Sequence, residues 1–227
     1  HSNSRSLNQM IRRLMLPAAV LVFACALPAQ EKSLLDRESA VWTNLMPAPD
    51  LKGWSHVPIP PVAGVDPRPQ WSVDTVAGTL ICNGKGGHEW LKYEKEYGDF
   101  VLHVEFRFTP LPQADAKYNS GIGIRLSPVG EIWHQAQTGP AGSWLFGVDV
   151  AGGKLARVNL REMMENRMKP AGEWNVMEVF AEGDTLRIWL NGKVVSEWKG
   201  CTITRGFIGL EAEYFEIAFR NMQIKEK

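Results

Sequence analysis

Nine residues constrain this chain more than any others: Phe100–Phe108, FVLHVEFRF. Phe100, Leu102, Val104, Phe106 and Phe108 occupy one parity, and Val101, His103, Glu105 and Arg107 the other. Period-two alternation marks a strand with one buried and one open face. A second strand is expected over Gly121–Ser127, with Ile122, Ile124 and Leu126 on one side and Gly121, Gly123 and Arg125 on the other. Glycines within a strand leave space close to the backbone. The spacing predicts that Gly121 and Gly123 open such a space beside Arg125. A third strand is expected over Glu131–Gln137, EIWHQAQ, crowded with polar groups.

The remaining punctuation is that of an all-β chain. Asn191-Gly192 lies between two apolar segments and is the strongest short-range hairpin signal. About a dozen strands at roughly 8–12-residue spacing indicate a sandwich or barrel. There is no fixed-period repeat, which argues against a propeller or solenoid. Residues 47–70 carry seven prolines and are expected to be an irregular rim loop. Residues 159–168, NLREMMENRM, are the expected place for a short helix. One β-sandwich with a curved polar face fits this pattern.

From Met10 the chain reads MIRRLMLPAAVLVFACALPAQ. A basic Arg12-Arg13 pair, an apolar run over 14–27 and small residues near Ala24–Ala26 and Ala29 have the composition of a secretory signal peptide. The run is short for a transmembrane span. The expected organisation is an upstream segment over 1–9, a signal peptide over 10–29, a linker over 30–41 and a sandwich domain over 42–227. The mature chain is expected to be exported, to the periplasm or the extracellular space, without a membrane span. Lys plus Arg equals Asp plus Glu at 25 each, so the basic excess of a nucleic-acid-binding protein is absent. Export permits a disulfide, but Cys82 and Cys201 fit buried free thiols equally well. No CxxC, HExxH or zinc-spaced Cys/His motif is present.

Several short motifs recur in order: DLKGW at 50–54, YGDF at 97–100 with EFR at 105–107, NSGI at 119–122 before Arg125, GEWN at 172–175, LNG at 190–192, GFIGL at 206–210 and FRN at 219–221. In this order the chain resembles the DUF1080 or 3-keto-disaccharide hydrolase domain family over about residues 42–227. The resemblance implies a concanavalin A-like jelly-roll β-sandwich and carbohydrate ligands, in particular glycosides oxidised at C3. Two positions depart from the family. Its Tyr-Glu-x-Gln segment is replaced by EIWHQAQ, and its late Gln and His by Glu211 and Glu213.

A C3 ketone acidifies the C2 proton, so a base can remove it and expel the C1 substituent. That chemistry needs a base of near-neutral pKa and donors for the enolate oxygen, and it admits a divalent metal ion as stabiliser. His103, Glu105, Arg125, Glu131, His134 and Gln135 are the candidate catalytic residues, with Arg125 the first choice. Arg107, Trp71, Trp90, Trp133, Gln137, Trp144 and Glu211 are candidates for binding substrate. Each has a structural reading beside it. His134 shares parity with Ile132 and Ala136, which fits a core histidine with Gln135 and Gln137 facing the site. Glu105 and Arg107 fit a surface pair, and most of the nine Trp fit a core. Catalysis by paired carboxylates or by a Ser-His-Asp triad lacks its sequence signature. Two functions follow as expectations: a keto-glycoside hydrolase or lyase, or a non-catalytic, lectin-like carbohydrate-binding module.

Overall fold

The computed structural model describes residues 30–38, 41–61 and 68–227. The expected signal peptide and the segment before it lie outside the described residues, as does part of the Pro-rich stretch. The chain is nearly all β, with one helical turn, α1 (Leu34–Arg37), among the described residues. The strands are β1 (Thr43–Asn44), β2 (Trp54–Pro58), β3 (Trp71–Asp74), β4 (Thr79–Cys82) and β5 (Glu89–Tyr97). There follow β6 (Phe100–Phe108), β7 (Gly121–Leu126), β8 (Trp133–Gln137), β9 (Leu145–Ala151) and β10 (Lys154–Leu160). The last are β11 (Asn175–Glu182), β12 (Thr185–Leu190), β13 (Lys193–Lys199), β14 (Gly206–Ala212) and β15 (Ile217–Glu226).

Two antiparallel sheets form a sandwich, as expected. The first runs β13-β12-β11-β6-β15-β4-β3, with β1 against β15; the second runs β10-β9-β8-β7-β14-β5-β2. The even positions of β6 enter the core between the sheets, joined by Ile122 and Ile124 from β7, Met177 and Val179 from β11, and Ile208 and Leu210 from β14. Each large side chain so buried contributes about 1.5–3 kcal/mol. Asn191 and Gly192 both take positive φ, 46° and 101°, in the β12–β13 hairpin. That is the condition for a two-residue turn matching the strand twist. Gly152 and Gly153 do the same at φ 56° and 74° between β9 and β10.

The structure corrects two sequence readings. The Pro-rich stretch contains β2, which among the described residues pairs only with β5, at the sheet edge. Proline is tolerated on an edge because its missing N–H faces no neighbour. Residues 159–168 are not helical. Asn159 and Leu160 close β10, and the segment after them is irregular. Its backbone is claimed by other groups: Met164 N–H donates to the Val195 carbonyl, Asn191 Nδ2 to the Arg167 carbonyl, and Lys169 N–H to Asn175 Oδ1. Side-chain amides thus replace the i to i−4 ladder. Within residues 30–41, α1 packs on the outer face of the first sheet. Leu34 joins Val101, Phe180 and Trp189 there, and the Leu34 and Leu35 N–H groups donate to the Glu178 carboxylate at 2.7 and 3.0 Å. No helix among the described residues is long and apolar enough to cross a membrane. Cys82 and Cys201 are both buried free thiols.

Candidate functional site

The outer face of the second sheet carries a polar cluster beside a groove. Alternation along β8 turns Gln135 and Gln137 outward, while His134 and Ala136 turn inward. On β14, Ile208, Leu210 and Ala212 enter the core, so Glu211 points outward, and Glu213 follows it on the same side. His88 precedes β5 and Asn119 precedes β7. Glu211 is the hub. Its Oε1 lies 2.8 Å from His88 Nε2, and its Oε2 accepts from Gln135 Nε2 at 2.6 Å. Gln137 donates to Asn119 Oδ1, Asn119 donates to Glu213, and Glu213 lies 3.9 Å from His88 Nε2.

Gly121 makes the hub geometry feasible. A Cβ there would fall 2.1 Å from Gln135 Nε2 and 2.5 Å from its Cγ, so the amide lies across bare backbone to reach Glu211. The space expected beside the glycines therefore exists, but the protein's own side chains fill it. At Gly123 the occupants are Leu126 and Trp90, 3.0–3.1 Å from a hypothetical Cβ. Gly121→Ala is expected to push Gln135 off Glu211. Ligand affinity at this face should fall about tenfold, the effect of losing one hydrogen bond to a charged group. Isothermal titration against the variant checks this; unchanged affinity would remove Gln135 from the site.

Electrostatics tune the cluster. Burial disfavours a charged His88, but the Glu211 and Glu213 carboxylates outweigh it and raise the imidazole above its ordinary 6.5. Glu213 is pushed above the usual carboxylate value by burial and by the like charge of Glu211. Beside the cluster, Asn119, Gln137, Trp144, Phe146, Arg157 and Arg161 line a groove of about 370 Å³. His88, Glu211 and Glu213 also offer one nitrogen and carboxylate oxygens within 4.8 Å of one another, a donor set that fits a divalent cation.

The predicted residues are distributed over several places. Gln135, Gln137, Glu211 and Trp144 meet at this face. Trp90 and Trp133 share it but belong to an apolar patch with Val57 and Leu126, where Trp90 is 1% exposed. Trp71 lies in the core with its indole N–H donating to Glu89 at 2.9 Å. Glu131 is exposed and lines a separate hollow with His56 and Lys92. Arg125, the first choice, does not reach the polar face. Its φ of 52° breaks the alternation of β7, so that Leu126 lies beside Gly123 and the arginine is wholly buried. There its guanidinium donates to the carbonyls of Gly98, Gly183 and Ile203 and to Asp99. His134 faces inward, in line with its parity.

His103, Glu105 and Arg107 lie on the outer face of the first sheet, with the core between them and Glu211. His103 sits 3.1 Å from Glu178, and Arg107 stacks on Trp174. Glu105 is held down to about 2 from its ordinary 4.5, first by His103, then by Asn221 and Arg220. A depressed carboxyl stabilises the fold above its unfolded pKa, and that contribution is lost as pH falls from about 4.5 toward 2. Discounted for partial solvation, it amounts to about 1–2 kcal/mol. His103 is shifted the opposite way: burial lowers its pKa, but Glu105 and Glu178 outweigh it, so its share is lost only as pH rises through the raised value. Glu105→Gln should flatten the acid limb of a denaturant-midpoint-versus-pH curve; parallel curves would contradict the assignment.

His88, Glu213 and Asn119 were not among the sequence-predicted site residues. Glu213 shares parity with Glu211, which was a usable signal. His88 ends a glycine-rich turn and has no alternation of its own, and only strand pairing brings it to Glu211.

Comparisons with known proteins agree with the fold. Carbohydrate-binding module CBM66 from Bacillus subtilis superposes with a TM-score of 0.57 at 13% identity, covering 82% of this chain and 100% of that one. A candidate glycosyl hydrolase from Parabacteroides distasonis ATCC 8503 superposes at 0.60 with 17% identity, covering 87% and 99%. A second candidate glycosyl hydrolase from that organism gives 0.55 at 20% identity, covering 83% and 100%. No curated protein matches the sequence at a significant level. Residues 41–225 match the 3-keto-alpha-glucoside-1,2-lyase-like domain, and the chain belongs to that family.

Proposed function

We propose that this protein is an exported lyase or hydrolase of glycosides oxidised at C3, and that His88 and Glu211 form its base. The carrying observation is the 2.8 Å contact between His88 Nε2 and Glu211 Oε1 on a groove-bearing face. Glu211 fixes the ring, with Nε2–H toward the carboxylate, and Nδ1 is then the basic nitrogen. A raised imidazole pKa suits proton abstraction near neutral pH.

In the proposed reaction His88 takes the C2 proton of the keto-sugar. The C–H electrons form the C2–C3 enolate, with negative charge on the C3 oxygen. The enolate collapses, a C1–C2 double bond forms, and the C1–O bond breaks with its electrons on the leaving oxygen. The proton on His88 can return to that oxygen. Water adding across C1–C2 completes hydrolysis; without it the enzyme is a lyase. The amides of Gln137 and Asn119 and the cations Arg157 and Arg161 supply donors for the enolate and ring hydroxyls. Trp144 offers an apolar face to the sugar ring. Were a divalent cation bound instead by His88 Nε2, Glu211 and Glu213, it would polarise the C3 carbonyl, and His88 would be a ligand rather than the base.

The second reading, a non-catalytic carbohydrate-binding module, draws on the Trp144 groove and on the fold shared with CBM66. One experiment separates the two. Wild type is incubated with 3-keto-glucosides, with and without chelator or added divalent metal, and leaving-group release is followed. Release, with an unsaturated keto-sugar as product, supports the enzyme. Sugar binding with no release under any metal condition sinks it in favour of the module. Export is tested by the N-terminus of the cell-secreted protein, expected near residue 30.

A further inference from the structure

We propose that Cys201, His134 and Asp149 form a buried site for a thiophilic divalent cation of the zinc class, on the core side of the second sheet. The three residues come from separate places: His134 from β8, Asp149 from β9, and Cys201 from the connection between β13 and β14. Their exposures are 2%, 1% and 3% for Cys201, His134 and Asp149. One ligand atom from each lies within 4.8 Å of the others.

His134 and Asp149 are oriented as ligands, and Cys201 Sγ lies beside them with its S–H donating to the Ile203 carbonyl at 3.2 Å until a cation displaces the proton. His134 Nδ1 lies 3.3 Å from the Ile124 carbonyl oxygen. A carbonyl only accepts, so Nδ1 carries the proton and the neutral ring presents a bare lone pair at Nε2. Metal-ligating histidines are commonly fixed in this way through the other nitrogen. That lone pair faces Cys201 Sγ at 3.7 Å and Asp149 Oδ1 at 3.6 Å. Asp149 is itself aimed by the Thr202 N–H at 2.9 Å, the Thr202 hydroxyl at 2.6 Å and the Val150 N–H at 2.8 Å.

The spacing is also compatible with that of metal ligands. Zinc–ligand bonds of about 2.0–2.3 Å at tetrahedral angles separate neighbouring ligand atoms by about 3.3–3.6 Å. The two separations at Nε2 are 3.6 Å to Asp149 Oδ1 and 3.7 Å to Cys201 Sγ, close to that range, the latter also within reach of an S–H···N contact while the thiol is protonated. The charges also balance. A thiolate and a carboxylate neutralise a dication, so the occupied cluster carries no net charge beside the buried Arg125, whose own donors are met by Asp99 and three carbonyls. All three groups are buried away from the groove on the outer face, so the role is structural, with the Ile203 carbonyl, 3.2 Å from Cys201 Sγ, as a further oxygen for the fourth position. The cation would hold β8 from its core side, beneath the outward-facing Gln135 and Gln137.

The test uses the full chain, unfolded in chelator and refolded with one equivalent of Co(II). One cobalt per chain with a thiolate-to-cobalt charge-transfer band, bleached by zinc, is expected. The band should persist when Cys25 and Cys82 are both replaced by Ser, and in Glu211→Gln, which alters the other donor cluster. It should vanish in Cys201→Ser. A refolded wild type with no thiolate band, or a band lost in the Cys25→Ser/Cys82→Ser protein, overturns the proposal even if Cys201→Ser does not fold.

Discussion

Glu211→Gln is expected to lower turnover of a 3-keto-glucoside by about 10²-fold or more, the range of a lost general base. The amide can keep a contact to Gln135, but it removes the negative charge that stabilises an imidazolium 2.8 Å away. His88 should then titrate lower, because the Glu211 carboxylate is a principal cause of its raised value. The base acts when unprotonated, so activity climbs with pH through the His88 pKa. In the variant that limb should move to lower pH while the plateau falls. KM should change less than kcat, since the charge matters most when the proton has been transferred. Full kinetics across pH for wild type and variant check all three features. A variant with unchanged plateau and unchanged limb would exclude the His88–Glu211 pair as the base.

The second large effect is on stability. Arg125→Met should destabilise the domain by about 3–5 kcal/mol, because it strips buried carbonyls of their donors. The guanidinium serves the carbonyls of Gly98, Gly183 and Ile203, which belong to three different connections. It thus ties together the β5–β6, β11–β12 and β13–β14 turns at one end of the sandwich. For a domain of this size, a loss of that magnitude lowers the thermal midpoint by about 10 °C. Below the new midpoint, turnover per folded molecule should match wild type. Differential scanning calorimetry and low-temperature kinetics separate the two effects. Lost turnover in a protein that melts normally would return Arg125 to the catalytic machinery, where the motif had first suggested it.

Much of the fold was readable from residues alone. The limits of β6 and the Asn191-Gly192 hairpin are local properties, set by side-chain parity and by two backbone angles. The same parity turned His134 inward and Gln135 and Gln137 outward. It failed at Arg125, where one residue of positive φ shifted the phase of β7. It also failed for residues 159–168, whose helix-like spacing lost to amides supplied by Asn175 and Asn191.

Alternation states that a strand has two faces; it does not state which sheet the strand joins. β6 and β7 follow one another in the chain, yet the connection between them passes from the first sheet to the second. That crossing separated Glu105 from Gln135, which the sequence had placed in one candidate site. The pairing of β14 with β5 and β7, distant in sequence, set Glu211 between His88 and Gln135. The sequence by itself determined the sandwich and the facing of most side chains, because side-chain direction along a strand is a local matter. Only the tertiary structure decided which polar residues share a site, because strand order is settled by burying both sheets' apolar faces against each other.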